Sequence, residues 1–188
     1  ARAWGLQEPG KRATADSLYN VASLAKPVSA ETFLRAAEAR KIGLDEPMAK
    51  HWTDPDIAKD PRTLLLTARL ALTHRTGFPN WRGPGGLSFE RDPGGIVGYS
   101  GEGFEYLARF AVRRTGTPFE QLSRSYVLRP TKMHSTSYTW KPWFEGRVAI
   151  PVDADGKWLP PVVRNQPLAS DDLYTTASDY ARFLISVS

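Results

Sequence analysis

From Ser23 onward, small and apolar side chains recur in steps of three and four, with Ala30, Phe33 and Ala37 following Ser23 and Lys26 until Gly43 breaks the pattern. That period marks one face of a helix, so the chain must hold a helix whose inward stripe opens with a hydroxyl and an amine. Pro27 falls in the first turn, where its missing N–H has no intrahelical partner, and the helix tolerates it. Ser23-Leu24-Ala25-Lys26 is the sole Ser-x-x-Lys in the chain. The spacing places both side chains on one face, where the cation lowers the cost of an alkoxide or, if desolvated, accepts its proton. The helix start adds unpaired N–H groups that can face a developing oxyanion. From these residues alone a bland reading stays open: a capping serine beside a solvated lysine.

The flanking sequence mixes extended and helical signals. Residues 1–7 read as a short strand, Glu8-Pro9-Gly10-Lys11 as a turn, and residues 17–21 as a second extended stretch. Asp60-Pro61 offers a cap and a first-turn proline for a helix with Leu64, Leu65, Ala68 and Leu72 facing inward, stopped at Thr76-Gly77. Residues 78–98 are rich in Gly and Pro and carry Trp81 and Phe89, a long irregular segment of the kind that lines binding sites. Phe104, Leu107, Ala108 and Ala111 mark a helix ended by Gly116, and Thr117-Pro118-Phe119-Glu120 is a capping box for the next, to about Val127. A hairpin is expected around Asp155-Gly156, between residues 147–152 and 157–159. Thr176-Ala177-Ser178-Asp179 begins a last helix with Ala181, Leu184 and Ile185 on its inner face.

With 41% hydrophobic residues in 188, the chain can bury a substantial core. No repeat or linker divides it, so a single domain over 1–188 is expected. The lack of cysteine excludes disulfides, thiolate metal sites and a thiol nucleophile. The net charge of +5 comes from scattered residues, with no aromatic-basic pattern that would read nucleic acid. Metal spacing such as His-Glu-x-x-His is absent, and Asp153 and Asp155 read as turn residues. Neither a metal nor another cofactor is expected. No apolar run approaches a membrane span, and Ala1-Arg2-Ala3-Trp4 lacks a signal-peptide layout.

A second candidate for chemistry is Tyr99-Ser100-Gly101, after the Gly-rich segment and before a well-marked helix. A Tyr beside an ammonium can titrate low enough to act as base on a serine hydroxyl; the alternative is a packed Tyr at a loop end. Trp81 and Phe89 are candidates for the wall of an acyl pocket, as are Trp140, Trp143 and Trp158, and each of these could equally be core.

Residues 18–26, with Ser23 and Lys26, resemble the nucleophile segment of class C β-lactamases and penicillin-binding proteins. Gly43-Leu44-Asp45-Glu46-Pro47, residues 70–79 with Thr73-His74-Arg75-Thr76-Gly77, Tyr99-Ser100-Gly101, Thr115-Gly116-Thr117-Pro118-Phe119, residues 128–133 and residues 173–183 are similar to further segments of that family, in its order. The resemblance implies an α+β fold, an antiparallel sheet flanked by helices with a helical subdomain, and a sheet left incomplete here. It implies acyl transfer on an amide, ester or β-lactam carbonyl, with Ser23 as nucleophile and Lys26 and Tyr99 sharing proton transfer. The alternative is a penicillin-binding or sensor protein on the same scaffold, acylated without turnover. His74 invites a Ser–His reading, but the resemblance assigns it to a structural turn.

Two departures matter. Gly101 stands where the family usually has an Asn whose amide binds substrate and Lys, which turns the expectation toward esters over β-lactams. No Lys-Thr-Gly or His-x-Gly follows the last helix, so the strand that supplies an oxyanion donor is missing and the domain is expected to be C-terminally incomplete. The expected partner is a small-molecule or peptide-like acyl substrate. The expected location is periplasmic or secreted, with the signal peptide absent from the chain and a cytoplasmic location left open. Oligomeric state has no sequence signal.

Overall fold

Gly10, at a φ of 73°, turns the chain between β1 (Leu6–Glu8) and β2 (Lys11–Arg12), which pair antiparallel. Glycine suits that left-handed backbone because it has no Cβ to clash. The computed structural model describes residues 2–188, so the expected strand at residues 1–7 survives as its last two residues, while Ala1 lies outside the described residues. The chain divides into two units: Ala1–Val28 with Arg124–Ser188, and Ser29–Ser123.

In the first unit, β3 (Tyr19–Asn20) pairs antiparallel with β4 (Tyr174–Thr175), joining the start of the chain to its far end. Leu18 also bridges Val148, and Ser137 bridges Tyr174, so two isolated bridges adjoin this two-stranded sheet. Its core is Leu18, Phe144, Val148 and Tyr174, with Trp140 packed edge-on to Phe144 and Tyr174. Trp140 therefore serves packing. The hairpin near Gly156 is present in minimal form, a single Val152–Trp158 bridge closed by Asp153 N–H to the Lys157 carbonyl at 3.0 Å.

The last helix, α5 (Ala177–Val187), starts where expected, with the Thr176 hydroxyl accepting from Asp179 N–H at 3.1 Å. Its buried face differs from the expectation. Phe183 and Asp179 are buried, whereas Ala181, Leu184 and Ile185 are exposed, Ile185 at 76%. The Asp179 carboxylate accepts from Ser135 N–H at 2.7 Å and Thr136 Oγ1 at 2.9 Å, and those bonds turn that face inward.

The second unit is helical. The helix announced by the stripe at residues 30–37 is α1 (Ala25–Arg40), which the chain follows from the first unit into the second. Phe33 and Phe110 meet at 6.1 Å between ring centroids, tying α1 to α3 (Gly101–Thr115). The Ser100 hydroxyl caps α3 by accepting from Gly103 N–H at 2.9 Å, and Gly116 ends it at a φ of 68°. The helix expected over residues 61–75 is broken into a 3₁₀ segment, Pro61–Leu65, and α2 (Ala68–Leu72). Asp60 caps the first piece and Thr67 caps the second, so two competing starts leave Leu66 extended between them. Leu66 is then buried, while Leu64 and Leu65, expected inside, are exposed at 65% and 57%. The helix opening at Phe119 runs as α4 (Phe119–Ser123) and widens into a π turn through Leu128.

Candidate active site

Ser23 does not lie on the inward face of α1, as its spacing suggests, but in a 3₁₀ turn just before it, Ala22–Leu24, and it is exposed. Ala22 adopts a φ of 45°, a left-handed backbone that costs a residue with a Cβ of order 1 kcal/mol. That bend throws Ser23 outward while Lys26, on the first turn of α1, stays inside at 5% exposure. Asn20 holds the bend: its Oδ1 accepts from Ala22 N–H at 2.9 Å, and its Nδ2 donates to Asp172 Oδ1 at 2.7 Å. Strain maintained by side-chain bonds of this kind is a recurrent property of functional turns.

Lys26 Nζ donates to Ser23 Oγ at 3.0 Å and to the Ser170 carbonyl at 2.8 Å. A buried cation bonded to an exposed hydroxyl can stabilise that oxygen as it loses its proton. The second bond aims the ammonium at the serine. Ser170 is a participant that the residue pattern did not reveal, because it acts through a backbone carbonyl that any residue type could supply.

Two acids follow Ser170. Asp172, also left-handed at a φ of 55°, accepts from Asn20 and from Arg164 Nε at 2.6 Å. Burial chiefly, then the neighbouring Asp172 charge, pushes the Asp171 carboxyl above its ordinary value, with Lys26 and Arg164 opposing that rise.

Tyr99 belongs to the second unit, at the approach to α3, and is 51% exposed. Its ring lies 4.6 Å from that of His74, whose Nδ1 accepts from Ser100 N–H at 3.1 Å. His74 is itself left-handed at a φ of 54°, and its carbonyl accepts from Gly98 N–H at 2.8 Å. His74 thus organises the turn that carries Tyr99.

Gly101 is closely walled. A Cβ there would sit 2.9 Å from the Asn80 carbonyl oxygen and 3.0 Å from the edge of the Trp81 ring. Asn80 is pinned: its carbonyl accepts from Gly101 N–H at 3.0 Å and Glu102 N–H at 3.1 Å, and its Oδ1 accepts from Gly101 N–H at 2.9 Å. Arg82 fastens the same segment, donating to Glu102 at 2.8 Å, Asp54 at 3.1 Å and Asp56 at 3.0 Å, and Arg109 joins at Asp54. The Glu102 hydrogen bond chiefly raises the Arg82 pKa, so this guanidinium stays charged. Trp81 is 44% exposed beside Gly101, whereas Phe89 packs on buried Phe78 at 4.9 Å with the Arg62 guanidinium over its ring. Among the described residues no group of acids and histidines could hold a metal, and no helix is long and apolar enough to cross a membrane.

The sequence model of the Beta-lactamase family matches residues 1–188. The D-alanyl-D-alanine-carboxypeptidase/endopeptidase AmpH of Escherichia coli (strain K12) is 27% identical in a 167-residue alignment that covers 75% of this chain. The chain spans 42% of that relative's length. Among solved structures, a penicillin binding protein from Bacillus halodurans aligns with a TM-score of 0.81 at 20% identity, over 98% of this chain and 63% of that one. The D-alanine carboxypeptidase AmpC from Burkholderia cenocepacia gives 0.80 at 21% identity, over 96% and 53%. A class C beta-lactamase gives 0.78 at 18% identity, over 96% and 54%. These structural likenesses show the β-lactamase and penicillin-binding-protein fold, of which this chain carries part. With the family match extending from the first residue to the last, the chain belongs to the β-lactamase family.

Proposed function

We propose that the protein is a serine hydrolase working through an acyl-enzyme. Ser23 Oγ attacks the carbonyl carbon of an ester, amide or β-lactam, the bond to the leaving group breaks, and water then releases the acyl group from Ser23. Lys26 steadies the forming alkoxide. Tyr99 is assigned the transfer of the Ser23 proton to the leaving group, the step that makes the leaving atom neutral. The observation that carries this reading is the buried Lys26 ammonium 3.0 Å from the hydroxyl of an exposed Ser23.

Substrates follow from residue 101. Without a side-chain amide there, a substrate amide loses a polar partner, an effect of about 1–3 kcal/mol. Small activated esters are therefore favoured over β-lactams, with Trp81 offering an apolar wall beside Gly101. Kinship with a D-alanyl-D-alanine carboxypeptidase supports peptide-like acyl groups as a second substrate class. A periplasmic or secreted location suits such substrates.

The test is burst kinetics with a nitrophenyl ester. A stoichiometric burst followed by steady turnover, both absent in Ser23→Ala, is the expected result. A burst without turnover would make the protein an acylated sensor, and undiminished turnover by Ser23→Ala would remove Ser23 from the reaction.

A further inference from the structure

The adjacent acids after Ser170 differ in their surroundings. Both oxygens of Asp172 are engaged, Oδ1 by Asn20 and Oδ2 by the Arg164 guanidinium. Asp171 lacks such an arrangement: its Oδ1 is buried and meets no hydrogen-bond partner among the described residues. The backbone that bears it is fixed close to the nucleophile. Ser170, one residue earlier, accepts from Lys26 Nζ, and Lys26 Nζ donates to Ser23 Oγ. Asp171 N–H itself closes a turn by donating to the Leu168 carbonyl at 3.1 Å. A half-buried Asp171 is therefore tethered one residue from the acceptor that aims Lys26.

From this placement we infer that Asp171 is a charge filter for acyl groups delivered to Ser23, disfavouring negatively charged chains and favouring positively charged ones. The inference rests on the Ser23 acyl-enzyme reading. A carboxylate with one oxygen unpaired and no cation in contact among the described residues acts on substrate charge at short range through a medium less polarisable than water, where one unit charge changes a rate constant by about ten-fold or more. Asp172 cannot play this part because Arg164 pairs with it. The charged groups that act on Asp171 are Lys26 and Arg164, which favour its ionised form, and Asp172, which opposes it. Because burial also opposes ionisation, the filter fades as pH falls, starting above the ordinary carboxylate range.

The experiment uses three nitrophenyl esters of matched length: a neutral 5,5-dimethylhexanoate, a 4-sulfobutanoate and a 4-(trimethylammonio)butanoate, none of which changes its acyl charge between pH 4 and 9. For the wild-type protein, kcat/KM should favour the cationic over the anionic ester at neutral pH, and the preference should shrink as pH falls. Asp171→Asn should reduce the cationic-to-anionic ratio by about ten-fold while leaving the neutral ester within about three-fold. A uniform loss on all three esters, or a wild-type preference for the sulfonate, overturns the filter. If Asp171→Asn fails to fold, the wild-type pH series decides, since a ratio independent of pH refutes the proposal. A neutral fluorophosphonate run in parallel separates the two claims: labelled Ser23 with an unchanged charge ratio defeats the filter alone, whereas unlabelled Ser23 defeats both.

Discussion

Restoring an amide at position 101 should damage the protein rather than improve it. In Gly101→Asn the new Cβ would lie 2.9 Å from the Asn80 carbonyl oxygen and 3.0–3.1 Å from two Trp81 ring carbons. The Trp81 ring, partly exposed, can swing aside at modest cost. Asn80 cannot, because its carbonyl is held by two N–H groups and the adjoining Arg82 is locked to Glu102, Asp54 and Asp56. Relief therefore requires backbone movement at the start of α3, for which overpacking of about 1–3 kcal/mol is the usual range. Asn has a slightly better helix propensity than Gly, which offsets a few tenths of a kcal/mol. The net expectation is about 2 kcal/mol of destabilisation, a fall in Tm of about 4–8 °C for a domain of this size. Thermal unfolding of Gly101→Asn, Trp81→Ala and the double variant measures it. Trp81→Ala should recover less than half of the loss, since the backbone clash remains. A Gly101→Asn protein as stable as wild type, or full rescue by Trp81→Ala, would refute the assignment of the obstruction to Asn80.

Asn20→Ala removes the acceptor for Ala22 N–H and a donor to buried Asp172, and should cost about 2–3 kcal/mol in urea unfolding while slowing Ser23 acylation. Asp171→Asn should raise Tm at pH 7, because the fold raises the pKa of this carboxyl and thereby disfavours its charged form. The gain should shrink as pH falls below the raised pKa and vanish by the ordinary carboxylate value, and a gain that grows toward acid would show the sign to be wrong.

The spacing of Ser23 and Lys26 was enough to pair them, since residues three positions apart share a face whether the turn is 3₁₀ or α-helical. It could not show that Ser23 points outward, because that depends on Ala22 entering a left-handed backbone that its residue type disfavours. The body and end of α3 were legible in the spacing of Phe104, Leu107, Ala108 and Ala111 and in Gly116, whereas its cap, Ser100, was not read from the sequence. Leu64 and Leu65 misled for the opposite reason: the caps at Asp60 and Thr67 compete over the six residues between them, and the outcome buries Leu66 instead. On α5, bonds to the Asp179 carboxylate from residues more than forty positions earlier override the apolar period of Ala181, Leu184 and Ile185. The Ser170 carbonyl left no trace in the sequence, being a backbone group. Resemblance to the family supplied the antiparallel sheet but led to the expectation of unpaired N-terminal strands, whereas β3 finds its partner within the chain in β4.

The central claim is that Ser23 is the nucleophile, and the most direct measurement is peptide mapping of the protein after reaction with a fluorophosphonate. The account predicts one adduct, on the peptide containing Ser23, formed more slowly in Lys26→Ala and absent in Ser23→Ala. An adduct on any of the other serines, with Ser23 unmodified, would contradict it.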